Sequence, residues 1–479
     1  MEEKADLVFI PSPGLAGHLI SAVEIAHVLL GRDHRLSITV LNMNISIDAK
    51  ITSVIQSVLS SSSDDRRLRF LDVPQDAAAA EHAKSHNFSE FVKSQKRGVR
   101  QVVSQMISGS ARLAGFVVDM FCTEMIDVAK EFGLPSYIFF TSGAGSLGLM
   151  FYLQALQDEE NRDVTEFKDS DTELPVPVFA NPFPTKVLPT MAMDKNGGSA
   201  RFLSIARKFK ESEGIMINTF IELEGHAIKA LSDDDKIPPV YPVGPVLNLK
   251  GDGGDAHESE AILGWLDKQQ PASVVFLCFG SMGSFGREQV REIALALERS
   301  GRRFLWSLRR PTRGVKEGEN ADPLLLLPEG FLERTADKGK MIGWAPQVAV
   351  LSHPAVGGFV THCGWNSILE SLWCGVPTAA WPLYAEQQVN AFQLVVDLGI
   401  AAEIKMDYEQ DWTGDRQEIV AAEEIERGIR EVMDGGQLRE RVKEMSEKAR
   451  VAVLPGGSSF NSIGRFIDYA LHNKGTPRS

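Results

Sequence analysis

Short, largely apolar segments, each followed by a stretch with apolar residues at helical spacing, recur along this chain. Leu7–Pro11, Leu36–Met43, 68–73, Phe116–Val118 and 136–140 read as strands, with helices at Leu19–Leu30, near 47–60, near 88–108 and near 123–131. A strand that is apolar on both faces must be covered on both, so the pattern predicts a parallel sheet between two helical layers. The second half repeats the scheme, with strands at Val274–Phe279, Arg303–Leu308, Val356–Thr361 and Pro377–Ala380. Helices are expected there at Arg287–Arg299, at Asn366–Trp373 and from Ala421 onward. Between the halves, Leu247–Ser259 is rich in Gly and Asp and poor in apolar residues, as a linker is. The expectation is two doubly wound, Rossmann-like α/β domains at 1–246 and 260–455, joined by 247–259. Residues 456–479 would form a C-terminal helix returning toward the first domain. Open parallel sheets take ligands outside the carboxyl ends of their strands, which points to a cleft between the two sheets.

Composition narrows the field further. Fifty basic against 64 acidic side chains leave a net charge of −14, a poor balance for binding nucleic acid. The four cysteines, Cys122, Cys278, Cys363 and Cys374, show no CxxC spacing and read as thiols of a reducing compartment. The charged start, Met1 to Asp6, lacks the apolar core of a signal peptide. Phe132–Gln157 carries no charge, but Pro135 and Gly143, Gly145 and Gly148 break it into a strand, a turn and a short helix. A cytoplasmic chain without a membrane span is expected. A charged loop is expected at Arg310–Asp322.

Two strand-to-helix junctions in the second half have the chemistry of a phosphate cradle. Gly280-Ser281-Met282-Gly283-Ser284-Phe285-Gly286 follows one strand directly. Glycines admit an anion close to the backbone, and the next helix offers unpaired N–H groups. The spacing is GxxGxxG rather than GxGxxG, and the following strand ends in Arg309-Arg310 instead of an acid, so a nicotinamide cofactor is disfavoured. The other junction is Thr361-His362-Cys363-Gly364-Trp365-Asn366-Ser367, with Glu370 one helical turn past Asn366. His362 and Ser367 can donate to phosphate, and Glu370 can accept from a ribose. On these residues alone, a merely structural Gly turn is the lesser alternative at the first junction, and a helix-capping pair with a solvated Glu is equally open at the second.

From Trp344 to Gln387 the chain reads WAPQVAVLSHPAVGGFVTHCGWNSILESLWCGVPTAAWPLYAEQ. This resembles the 44-residue signature of plant family 1 UDP-dependent glycosyltransferases, and the likeness extends over essentially the whole chain. The resemblance implies GT-B architecture, with an acceptor-binding N-terminal domain and a UDP-sugar-binding C-terminal one. It also implies a UDP-sugar site made by Ser281, Trp344, Ala345, Gln347, His362, Trp365, Asn366, Ser367, Glu370, Glu386 and Gln387. Trp344 would stack on uracil, with Gln347 near the base and ribose. Glu370 would take the ribose hydroxyls, while His362, Asn366, Ser367 and Ser281 surround the diphosphate. Glu386 and Gln387 would grip the sugar, the terminal Gln pointing to glucose. His353 and the rings of Trp365, Trp373 and Trp381 read as structural.

Of the ten histidines, His18 is best placed for proton transfer, just after the first strand and at a helix start. An exposed His at a helix start is the plainer reading of that position alone. By the resemblance, His18 matches the catalytic base and Asp119 its partner acid, although Ser21 stands where the family often has Pro. The implied reaction is a single inverting displacement. Glucose would pass from UDP-glucose to a hydroxyl or carboxyl of a small lipophilic metabolite, such as a flavonoid, phenylpropanoid or terpenoid. A monomer without metal or other cofactor is expected. Asp169-Ser170-Asp171 forms a DxD but lies in a polar stretch that reads as a solvated loop. A nucleotide-sugar epimerase, an NADP-dependent oxidoreductase and a non-catalytic UDP-sugar binder are the alternatives.

Overall fold

A computed structural model describes residues 4–45, 56–58, 65–75, 81–82, 88–109, 111–251, 256–309, 322–410 and 418–473. The helix expected near 47–60 (apart from 56–58), the loop expected at 310–322 (apart from 322) and residues 252–255 of the expected linker lie outside them. The chain forms two compact units. One comprises Met1–Asn161, Ala200–Asn248 and Val451–Ser479; the other comprises Arg162–Ser199 and Leu249–Arg450.

The first unit is built on seven strands, β1 (Ala5–Ile10), β2 (Leu36–Asn42), β3 (Leu68–Asp72), β4 (Leu113–Asp119), β5 (Ser136–Phe140), β8 (Gly214–Ile217) and β9 (Val240–Pro242). Their order is β3-β2-β1-β4-β5-β8-β9, and every pairing is parallel. All six residues of β1 and all five of β5 are buried, as strands covered on both faces require. The uncharged run resolves into β5 and a helix at Ala144–Asp158, 15 residues long and so more extended than expected. Among the described residues no helix is long and apolar enough to cross a membrane.

The final helix, Ser458–His472, belongs to this unit. Phe466, fully buried, meets Tyr137 edge-on at 5.1 Å and Tyr241 at 5.5 Å. Burying one such ring contributes about 1.5–3 kcal/mol. The long helix expected near 88–108 is two, Phe88–Ser94 and Lys96–Ser108. At the junction the Ser94 hydroxyl donates to the Phe91 carbonyl at 2.6 Å, which competes with continuous helical bonding.

The second unit carries six parallel strands, β10 (Val274–Cys278), β11 (Arg303–Ser307), β12 (Gly339–Ile342), β13 (Val356–Thr361), β14 (Thr378–Ala380) and β15 (Ala401–Glu403). Their order, β12-β11-β10-β13-β14-β15, repeats that of the first sheet up to β8, with β9 left without a counterpart. Even the irregularity recurs. The register shifts between Asp6 and Leu7 where β1 meets β4, and between Val274 and Val275 where β10 meets β13. The two-residue strands β6 (Glu173–Leu174) and β7 (Phe183–Pro184) form a ribbon in this unit. Phe179 and Phe183 stack at 5.0 Å and both pack on Phe392, and Asp397 accepts from the Ala180 and Asn181 N–H groups. These contacts tie Arg162–Ser199 to the second unit, inside the span that the linker position assigned to the first domain.

Candidate active site

In both sheets the strand order reverses beside the first strand, between β1 and β4 and between β10 and β13. Loops leaving such a pair diverge at the carboxyl ends and open a crevice. The expected site residues stand at or past the carboxyl ends of β1 and β4 in one sheet and of β10, β12, β13 and β14 in the other.

In the first unit, β1 leads through Pro11–Leu15 into the helix Ala16–Arg32, and His18 is its third residue. No side chain caps that helix start, and the helix dipole places a partial positive charge beside the ring. Asp119 is the last residue of β4, and its Oδ2 lies 2.7 Å from His18 Nδ1. Asp119 Oδ1 accepts from the Phe121 N–H at 2.9 Å and from the Ser12 hydroxyl. Thr141, one residue past β5, brings its Oγ1 to 3.2 Å from the same His18 nitrogen. The carboxylate side chain is 3% exposed and the imidazole 22%. A carboxylate held from three directions can only accept, which assigns the imidazole proton to Nδ1 and leaves Nε2 as the basic nitrogen. The Phe121 ring lies 5.3 Å from the imidazole, with Phe88 edge-on behind it at 6.3 Å. Phe139 and Phe140 are wholly buried core.

In the second unit, the junctions after β10 and β13 interlock around His362. Gly280 adopts φ +73°, and a Cβ there would fall 2.4 Å from His362 Nε2; one at Gly364 would fall 2.6 Å away. Two glycines thus make the slot that admits the ring. His362 is buried, and its Nδ1 has no hydrogen-bond partner among the described residues. Burial pushes its pKa down to about 4, so the ring is neutral at physiological pH. Cys363, at φ 62°, turns the chain into the helix Trp365–Cys374, and the Asn390 amide donates to its carbonyl at 3.0 Å.

That helix carries Asn366 and Ser367 in its first turn and Glu370 one turn on. Gln347 Nε2 donates to Ser367 Oγ at 2.8 Å and to Glu370 Oε2 at 2.7 Å, so one amide orients both acceptors. Trp344 follows β12, with the Arg309 guanidinium 5.0 Å over its ring. Gln387 opens the helix Gln387–Phe392, and its Oε1 accepts from Leu383 N at 2.9 Å and Tyr384 N at 3.0 Å. The amide NH2 is thus the part of Gln387 that can address a ligand, with Glu386 next to it. Ser281 is exposed on the glycine loop. The side chains of Ala345 and Trp365 are buried, which leaves their backbones for any ligand contact. His353 is structural, with Nδ1 accepting from Ala355 N at 3.2 Å and Nε2 3.2 Å from Asp267.

Sequence reasoning passed over Ser12, Thr141, Arg309 and Asn390. Ser12, Thr141 and Arg309 each stand one or two residues past the end of a parallel strand, and that placement was a usable signal. Asn390 had none. Asp171 of the DxD is exposed and paired with Lys186 at 3.1 Å. Among the described residues no cluster of three His, Cys, Asp or Glu is arranged to hold a metal ion.

Comparison with known proteins places these features in context. A family model described as "UDP-glucoronosyl and UDP-glucosyl transferase" matches residues 241–446. UDP-glycosyltransferase 71E1 of Stevia rebaudiana is 55% identical over 475 residues, covering 97% of this chain and 98% of that protein. UDP-glucose flavonoid 3-O-glucosyltransferase 6 of Fragaria ananassa is 54% identical, covering 98% of this chain and 99% of its own. Among solved structures, a Medicago truncatula UGT complexed with UDP-glucose aligns with a TM-score of 0.85 at 43% identity, over 98% of both chains. A Siraitia grosvenorii transferase in complex with UDP aligns with a TM-score of 0.86 at 46% identity, covering 98% of this chain and 100% of that one.

Proposed function

The chain belongs to the plant family 1 UDP-dependent glycosyltransferases, and from that premise we propose that it transfers glucose from UDP-glucose to a small lipophilic plant metabolite with inversion at the anomeric carbon. The observation that carries this reading is the 2.7 Å pair of His18 Nδ1 and Asp119 Oδ2 at the carboxyl end of the first sheet. The acceptor class follows the flavonoid named for the Fragaria relative, and the donor follows the UDP-glucose of the Medicago complex. Flavonoids come first, with phenylpropanoids and terpenoids sharing the same lipophilic chemistry. On this reading the acceptor is handled within 1–246 and the sugar nucleotide within 260–455.

The reaction is one displacement. Nε2 of His18 takes the proton of the acceptor hydroxyl as its oxygen attacks the anomeric carbon on the face opposite UDP. The bond from that carbon to the diphosphate oxygen breaks, and the α-linked sugar becomes a β-glucoside. Asp119 keeps the proton on Nδ1 and stabilises the imidazolium that forms. The N–H groups at the start of the helix Trp365–Cys374, with Ser281, His362 and Ser367, receive the charge that grows on UDP. Neutral His362 acts there as a hydrogen-bonding group rather than as a cation. Trp344 supplies the uracil platform, and Glu370, oriented by Gln347, accepts the ribose hydroxyls. Glu386 and the Gln387 amide hold the sugar. One chain supplies all of these groups, so a monomer suffices. Four unpaired cysteines suit a reducing, cytoplasmic setting.

The test is to incubate the purified chain with UDP-glucose and a panel of aglycones, reading product mass and anomeric configuration. A single added hexose in β linkage, formed equally well in EDTA, is the expected outcome. Conversion of UDP-glucose to UDP-galactose with no glycoside would replace this reading by the epimerase.

A further inference from the structure

Three adjacent strands of the second sheet, β12, β11 and β10, deliver three donor-site groups from their carboxyl ends. Trp344 stands two residues past β12, Arg309 two residues past β11, and Gly280 two residues past β10. Arg309, in the middle, reaches both neighbours. Its Nη1 donates to the Gly280 carbonyl at 2.7 Å while the guanidinium carbon lies 5.0 Å from the Trp344 ring centroid. The ends of β11 and β12 are also joined by their backbones, with Leu308 N donating to Ile342 O at 3.0 Å and the Ser307 hydroxyl to Gly343 O at 2.7 Å.

Each contact has a consequence. Gly280 is the residue whose left-handed backbone makes room for His362. Its carbonyl shares a planar trans peptide with the N–H of Ser281, and the two point in opposite directions. Holding the carbonyl therefore aims the Ser281 N–H of the glycine loop. On the other side, a cation over one face of an indole holds the plane of that ring. A planar guanidinium can stack and donate in its own plane at once, whereas an ammonium cannot do both in a fixed geometry.

Resting on the donor-site reading above, we infer that Arg309 is a positioning residue for the sugar nucleotide, fixing the base platform and the diphosphate loop together. Its removal loosens Trp344 and the Gly280–Ser281 peptide at once, so uridine and UDP both bind more weakly. Proton removal by His18 is not altered directly, so the main effect falls on donor binding and only a small one on kcat. Calorimetric titration of the full chain with UDP and with uridine tests this, alongside steady-state kinetics of the same variants. Arg309→Met, which keeps the packing volume, is expected to raise the Kd of both ligands and the KM for UDP-glucose about tenfold. In the same variant kcat should stay within about threefold and the acceptor KM should not change. Arg309→Lys should recover only a minor part of the loss. Unchanged UDP and uridine affinities in a variant with wild-type circular dichroism and melting temperature would overturn the inference. So would full rescue by Lys, which would reduce Arg309 to a point charge, or a fall in kcat with KM unaltered. A wild-type chain that binds no UDP would instead overturn the functional reading itself.

Discussion

The two sheets share a strand order and a register shift, and a histidine stands at the carboxyl end of each, yet the rings are prepared for different work. After the shift, Leu7 pairs with Gly115 in one sheet and Val275 with Gly358 in the other. Counting on from those pairs, Asp119 corresponds to His362 and Ser12 to Gly280. In the first unit these positions hold an acid and the hydroxyl that donates to it. In the second they hold an imidazole and the glycine that makes room for it. His18, reaching Asp119 from the neighbouring helix, is partly exposed and has a carboxylate to stabilise its charged form. His362 is buried, and burial pushes it to about 4. The topology supplies the position; the residue opposite and the access of water decide whether a histidine takes up a proton or refuses it.

The comparison breaks first at His18. His18→Ala should lower kcat about 10²–10⁴-fold with UDP affinity unchanged, and an undiminished kcat would reject the base assignment. Asp119→Asn should cost about 10²–10³-fold in kcat, because an amide no longer enforces the Nδ1–H tautomer. Wild-type turnover in that variant would make the acid a structural neighbour only. For His362 the sign runs the other way from a paired histidine. Unfolded, it titrates near 6.5; folded, near 4, so between those values the unfolded chain binds the extra proton. Stability from this group is complete above about pH 6.5 and is lost as pH falls toward 4, about 3 kcal/mol in all. Thermal melts should show His362→Asn with a shallower acid decline over that window than the parent. Gly280→Ala drives a Cβ into the imidazole and should raise the KM for UDP-glucose about tenfold, leaving the acceptor KM alone. The corresponding change in the first unit, Ser12→Ala, removes one of three hydrogen bonds to Asp119, and a kcat loss of about two- to fivefold is expected. Equal effects of these last two on donor KM would erase the distinction between the units.

Much of this was legible in the residues. Strands such as Val274–Cys278 and Val356–Thr361 announce themselves because burial on both faces demands unbroken apolar runs. The glycine loop and the segment Trp344–Gln387 carry their chemistry in contiguous residues. The short strands Gly214–Ile217, Val240–Pro242, Gly339–Ile342 and Ala401–Glu403 left no such trace, since what holds them is a partner strand rather than a local pattern. The place of Arg162–Ser199 was equally hidden, because it rests on Phe179 and Phe183 meeting Phe392, some 200 positions later.

By itself, then, the sequence determined the fold class, the repeated strand-and-helix scheme and the candidate groups for each half, because periodicity and short motifs are properties of neighbouring residues. Only the tertiary structure decided that His18 meets Asp119 across 101 positions, that Ser12 and Thr141 complete that cluster, and that Arg309 bridges Gly280 and Trp344. Those contacts arise where parallel strands distant in the chain end side by side, and strand register is set by the packing of the whole sheet.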